Sequence, residues 1–151
     1  MTDNIPGARN RISILAVSPS EEDHRSLRHI LQRSNWILNT AGTISEARRF
    51  LEGNVVPVIV CSRDLPDGSW EDLLDAVTAG PLPPQVVVIS DSADSSLWSS
   101  VLNRGGYDVL LKPLVPEEVF GLLSLAWRTW HGPPRARPSL TEEAQAEAMA
   151  R

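Results

Sequence analysis

The fold is decided by a stretch in the middle of the chain, VIVCSRDLPDG, residues 58–68. Its apolar start has no polar interruption, which is typical of a strand buried on both faces of a parallel sheet. The LPDG segment then indicates a turn, because proline and glycine suit the backbone angles of tight turns. Ser69, with Asp72 three residues later, is an N-cap signal for a helix. We therefore predict a strand over residues 55–61, a turn and a helix.

The same alternation of strand and helix extends to both sides of this stretch. Four more apolar runs of strand length occupy residues 12–17, 36–41, 85–90 and 107–112. The helices after them are predicted to begin at Ser18 and Thr43 and to span residues 93–104 and 116–130. Five such βα units predict an α/β fold with a doubly wound, parallel five-stranded sheet in the order 2-1-3-4-5, of the flavodoxin type.

A length of 151 residues fits one domain. We predict a flexible arm over residues 1–10, a folded domain over residues 11–132 and a tail over residues 133–151. Pro133 and Pro134 open the tail as a linker. The end of the tail is expected to be a short helix or to be disordered.

Composition excludes several classes of protein. The formal net charge of −5 argues against a surface for nucleic acid, which is built from clustered cations. No apolar run approaches the ~18 residues of a membrane span, and no signal-peptide core opens the chain. The single cysteine, Cys61, is expected in the core, and the three histidines have no zinc-site spacing. We therefore expect a cytoplasmic protein with no nucleic-acid or membrane partner.

The carboxyl ends of the predicted strands indicate where a site would lie. In open α/β sheets, ligands bind in the crevice at that edge. The side chains placed there are Ser18, Ser62, Ser90 and Lys112. Lys112 is the single lysine in a chain with thirteen arginines.

At these positions the chain resembles the receiver domains of two-component response regulators, over residues 11–131. The resemblance lies in residues 58–68, in the strand over residues 86–90 and in the segment YDVLLKP, residues 107–113. In that family the third strand ends in an aspartate that accepts a phosphoryl group, and two acids after the first strand hold magnesium. The family also has a serine or threonine after the fourth strand, and a lysine followed by a cis-proline after the fifth.

Only part of this pattern is present. Ser62 stands in place of the phosphoacceptor, and Ser18 and Pro19 stand in place of the metal ligands. Ser90 and Lys112 match the family, whereas Val109 replaces the aromatic switch residue; Pro113 is expected to be cis.

The three missing side chains are the carboxylates that aspartate phosphorylation needs. A carboxylate is the nucleophile of that reaction, and Mg²⁺ takes oxygen ligands, usually one or two carboxylates. We therefore interpret the chain as a stand-alone pseudo-receiver. It would be a phosphorylation-independent protein-interaction module of two-component or phosphorelay signalling. It is expected not to be an enzyme, to use no cofactor, and to bind Mg²⁺ weakly or not at all.

Several alternatives stay open at this point. Ser62 could accept phosphate in place of aspartate, and Asp64 could make a weak cation contact. Lys112 is expected to pair with Asp64 or Asp91, or to be solvated. Residues 21–23 are three acids that could add charge to the crevice, but we interpret them as first-turn acids that favour the helix dipole. A flavin or small-molecule site on the same sheet ranks last, because the loop after the first strand is acidic and contains a proline.

The fourth and fifth predicted helices have more apolar residues than one buried stripe requires. The candidate interface residues are Trp98, Leu102, Phe120, Trp127 and Trp130. Excess apolar surface of this kind usually marks a partner interface, and tryptophan is a frequent hot-spot residue. We expect a protein partner, a signalling protein or sensor kinase, or a homodimer through these helices. Coverage by the tail is the alternative.

Overall fold

The computed structural model describes residues 12–80, 82–92 and 95–131. The predicted arm and tail lie outside the described residues. The strands are β1 (Ile12–Val17), β2 (Trp36–Ala41), β3 (Val58–Ser62), β4 (Gln85–Ser90) and β5 (Asp108–Leu111). The helices are α1 (Glu21–Leu31), α2 (Ile44–Glu52), α3 (Trp70–Val77), α4 (Ser95–Asn103) and α5 (Pro116–His131).

The five strands form one parallel sheet in the order β2-β1-β3-β4-β5. This confirms the predicted doubly wound topology. The three central strands are almost entirely apolar because helices cover both of their faces. In β3, Val58, Ile59, Val60 and Cys61 are fully buried.

Successive side chains along each strand point to opposite faces of the sheet, which divides the core into two layers. Leu15 and Ile59 point to the layer that contains α2, α3 and α4. Ile14 and Val60 point to the layer that contains α1 and α5. The crossover connections therefore place two helices on one face of the sheet and three on the other.

Among the described residues, two predicted boundaries are wrong by more than one residue. The third strand begins at Val58 and not at residue 55, because Pro57 lacks an N–H and breaks the run there. The first helix is capped by Ser20, whose side chain accepts from the Asp23 N–H, and not by Ser18. Ser18 is still held beside the sheet, since its N–H donates to the carbonyl of Ala41.

The turn after β3 fixes the neighbouring helices. Residues 64–65 and 68–69 form a small antiparallel hairpin that the sequence did not predict. The Asp67 carboxylate then accepts from the N–H groups of Ile44 and Ser45 and so caps the start of α2. Backbone hydrogen bonds to the Asp67 carboxylate lower its pKa below the ordinary value of 3.8, and the bond from the Ile44 N–H has the largest effect. The predicted capping of α3 is confirmed, because Ser69 and Asp72 form a capping box.

A membrane-spanning helix is absent from the part of the chain that the structure describes: none of its helices combines the necessary length and apolar character.

Candidate functional site

The carboxyl edge of the sheet brings together the four positions selected from the sequence. Ser62 and Ser90 end β3 and β4, while Ser18 and Lys112 directly follow β1 and β5. The Lys112 N–H donates to the carbonyl of Ser90, which holds the end of β5 beside the end of β4. The Lys112–Pro113 peptide bond is cis, as predicted. These side chains therefore surround one crevice.

A fifth side chain, Asp23, enters this crevice from the first turn of α1. The residue is 4% exposed, and its Oδ2 atom accepts a 2.6 Å hydrogen bond from the Ser18 hydroxyl. The Ser18 Oγ atom in turn accepts from the Ser20 N–H. The Ser18 hydroxyl thus orients an internal carboxylate.

The other oxygen of Asp23 binds Lys112. The Nζ atom lies 3.0 Å from Oδ1, and the side chains are 31% and 5% exposed for Lys112 and Asp23. Sheltering from water strengthens the attraction between two such charges and makes an unpaired charge costly. The predicted partners, Asp64 or Asp91, are wrong. Those residues follow β3 and β4 and are exposed, whereas Asp23 is already buried beside the ammonium group.

Sequence reasoning missed Asp23 as a site residue because an acid in the first turn of a helix has an ordinary explanation in the helix dipole. The available signal was its spacing, because Asp23 lies three residues after Ser20. From this position in the first turn of a helix, a side chain can turn back toward the residues before the helix, here toward the end of β1. Its neighbour His24 is also buried, with Nε2 2.8 Å from the carbonyl oxygen of Ser18. The first turn of α1 is therefore tied to Ser18 through both side chain and backbone.

The other two serines of the crevice make local contacts. Ser90 is 4% exposed, and its hydroxyl donates to the Ser92 carbonyl and accepts from the Ser92 N–H. Ser62 is half-buried, and its carbonyl accepts from the Cys61 thiol. Burial raises the pKa of that thiol far above its ordinary value and keeps it protonated. Pro19 is exposed and has no polar side chain.

Asp64 lies outside this network. It is exposed in the small hairpin and lines a polar pocket of about 250 Å³ with Arg63, Glu71 and Ser100. The described residues contain no group of three or more histidine, cysteine, aspartate or glutamate side chains that could hold a metal ion. The suggestion that Asp64 makes a weak cation contact stays a prediction.

The candidate interface residues differ in exposure. Trp98 is 46% exposed, and its indole N–H donates to Asp108 at the start of β5. Leu102 and Trp130 are half-buried. Phe120 and Trp127 instead pack against the buried core formed with α1.

Exposed apolar side chains also occur at other places. Leu111 at the end of β5 is 42% exposed and was not selected from the sequence. It alternates with Leu110, which points to the α5 layer, so Leu111 is on the α4 side of the edge strand. Before the amino ends of β3 and β4, Val55 and Leu82 line a groove of about 360 Å³ between α2 and α3.

Comparison with known proteins identifies similar proteins along most of the described chain. No family model matches. The transcriptional regulatory protein DpiA of Escherichia coli is 30% identical over 103 residues, covering 68% of this chain and 45% of DpiA. The hydrogenase transcriptional regulatory protein HoxA of Bradyrhizobium diazoefficiens is 28% identical over 108 residues, covering 71% of this chain and 22% of HoxA. The chain thus spans less than half the length of these relatives.

Solved structures share the fold. The beryllofluoride-activated NtrC4 receiver domain dimer superposes with a TM-score of 0.72 at 25% identity, covering 78% of this chain and 98% of that one. The chemotaxis response regulator CheY4 of Vibrio cholerae gives a TM-score of 0.71 at 19% identity, covering 78% of this chain and 99% of that one. In both, nearly the whole of the compared chain is matched.

Proposed function

Because the chain folds as a receiver domain of the response-regulator type, we propose that it acts in two-component or phosphorelay signalling as a protein-interaction module that does not depend on aspartate phosphorylation. One observation carries the proposal: Lys112, the cation that would approach a phosphoryl group, is paired with the buried Asp23. The third strand, separated from β5 by β4, ends in Ser62, a neutral hydroxyl.

The chemistry of the crevice supports this. Phosphoryl transfer to a receiver needs a carboxylate nucleophile and a divalent ion that neutralises the transferring group. The Ser18 hydroxyl is used by Asp23, and both Asp23 oxygens accept hydrogen bonds. A carboxylate engaged in this way is a poor ligand for an incoming metal ion, because its present partners would have to be released. We therefore expect Mg²⁺ binding to be weak or absent.

The test is treatment of the chain with acetyl phosphate and Mg²⁺, followed by intact-mass measurement. We expect no added phosphoryl group and no calorimetric heat of binding for Mg²⁺ with beryllofluoride. A stable mass increase would contradict the proposal. Ser62→Ala is the matched variant: if the wild type gains the group and Ser62→Ala does not, the chain signals through a serine acceptor instead.

The partner is proposed to be a protein, and the surface for it an edge patch made of Trp98, Leu102 and Leu111. Trp98 and Leu102 are one helical turn apart on α4, and Leu111 lies on the same side of the edge strand β5. A large exposed aromatic ring beside an exposed and a half-buried leucine is typical of an interface hot spot. We propose a second copy of the chain as the occupant, since the NtrC4 receiver, at 25% identity, is described as a dimer.

A further inference from the structure

We propose that Asp23 is an intramolecular ligand of Lys112: its carboxylate takes the place of an external anion and permanently joins the turn after β1 to the turn after β5. This deepens the proposed function on which it rests, because it names what keeps the crevice in one state without phosphate.

The geometry of the carboxylate is the first support. Its two oxygens have separate tasks, since Oδ2 accepts from the Ser18 hydroxyl at 2.6 Å and Oδ1 accepts from Lys112 Nζ at 3.0 Å. The Ser18 hydroxyl is held in turn by the Ser20 N–H. Asp23 is thus oriented by its own turn before it meets the lysine, which reduces the entropy lost on pairing.

The position of the two partners in the fold is the second support. Asp23 and Lys112 are 89 residues apart and belong to different structural units. Asp23 belongs to α1, which packs on one face of the sheet, while Lys112 lies in the connection from β5 to α5. Separation of the two connections would leave a carboxylate that is 5% exposed without its cation. Such a charge is strongly unfavourable in a poorly hydrated place.

Competition with free anions follows from the same arrangement. The carboxylate is part of the chain, so its effective concentration at the ammonium group is far above that of an anion in solution. Lys112 keeps 31% of its side chain exposed, so access is not what excludes an anion. Removal of the Asp23 charge should therefore make Lys112 available to phosphate.

The sequence offers a direct probe of this pair, because Lys112 is the single lysine among 151 residues. Protein grown with ¹³C- and ¹⁵N-labelled lysine gives one lysine side-chain signal in an NMR spectrum. Wild type, Asp23→Asn and Glu22→Gln are titrated with inorganic phosphate. Glu22 is the matched control, since it is the neighbouring acid on α1 and is exposed.

We expect the wild-type and Glu22→Gln signals to stay in place, and the Asp23→Asn signal to shift saturably. A saturable shift in the wild type, or none in a folded Asp23→Asn, would overturn the inference. If Asp23→Asn fails to fold by circular dichroism, Ser18→Ala decides the matter. Loss of the Ser18 support should raise the acetylation rate of Lys112 severalfold, relative to a lysine-containing reference peptide. An unchanged rate contradicts the inference.

The two proposals fail separately. A covalent phosphoryl group on the wild type would end the proposed function whatever the lysine signal does. A wild type that is inert to acetyl phosphate but whose Lys112 signal shifts with free phosphate would retain the proposed function and remove only the role of Asp23.

Discussion

The Nζ atom of Lys112 lies 3.0 Å from the Oδ1 atom of Asp23, in a crevice where the carboxylate side chain is 5% exposed. The lysine that faces this edge of the sheet is therefore already neutralised by the chain itself. The pair also connects α1 to the end of β5, so the two turns that line the crevice depend on each other. Substitutions at either partner should affect stability, and they should do so unequally.

Lys112→Met should destabilise the chain by about 3 kcal/mol, the lower end of the range for breaking a buried pair, because Lys112 itself is partly exposed. It leaves Asp23 buried without a counter-ion. Asp23→Asn should cost less, since the remaining ammonium can turn to water. The double variant should be more stable than the sum of the two losses predicts. Urea denaturation of all four proteins measures this coupling, and strictly additive losses would show that the pair contributes no coupling energy.

The Asp67 cap on α2 predicts a pH dependence. Hydrogen bonds from the Ile44 and Ser45 N–H groups lower the pKa of Asp67 below 3.8. A lowered folded-state pKa contributes stability that is complete above the unfolded value and is lost as the pH falls through the folded value. Asp67→Ala should therefore have a lower Tm than the wild type near neutral pH, and the difference should shrink below pH 3.8.

Thermal melts followed by circular dichroism across this range are the measurement for Asp67. Glu52→Gln is the control, because it removes an exposed carboxylate at the other end of α2. If the Tm difference for Asp67→Ala is the same at all pH values, the charge of Asp67 has no part in the cap.

A feature of this molecule could be predicted from the sequence when the interactions that determine it are between residues close together in the chain. Continuous β-branched strands such as Val86–Ile89 and the capping signals at Thr43 and Ser69 act locally, so the sheet order and most helix starts were predictable. The cap of α1 was not, because Ser18 and Ser20 are both suitable hydroxyls. The choice between them depends on Asp23, whose carboxylate accepts from the Ser18 hydroxyl while its N–H donates to the Ser20 hydroxyl.

The site was predictable only in its positions. Four of its side chains follow from where strands end. The partner of Lys112 does not, because nothing local in an acid 89 residues away indicates that α1 delivers it to β5. The same holds for Phe120 and Trp127, where helical periodicity could not separate core packing from a free surface.

The edge patch predicts a change in association state. Trp98→Ser removes the largest exposed ring of the patch, and it should lower the fraction of dimer measured by sedimentation velocity at a fixed concentration. Leu82→Ser is the matched control, since Leu82 is 61% exposed before the amino end of β4, away from the edge patch. An equal effect of both substitutions would point to general loss of apolar surface. A wild type that is monomeric at all concentrations would remove the dimer proposal.

Two glycines should respond to alanine with opposite signs. Gly68 has a φ of +155°, and a Cβ atom there would lie 2.7 Å from Asp72 Oδ2 and from Ile44 Cδ1. Gly68→Ala should therefore destabilise the chain by about 1–3 kcal/mol and disturb the Asp67 cap that follows from this turn. Gly121, within α5, would place a Cβ atom in open space. Gly121→Ala should stabilise by roughly 0.5–1 kcal/mol, because it removes backbone freedom from the unfolded chain. Urea denaturation of the two variants gives both signs in one experiment, and a neutral Gly68→Ala would mean that the turn can shift without cost.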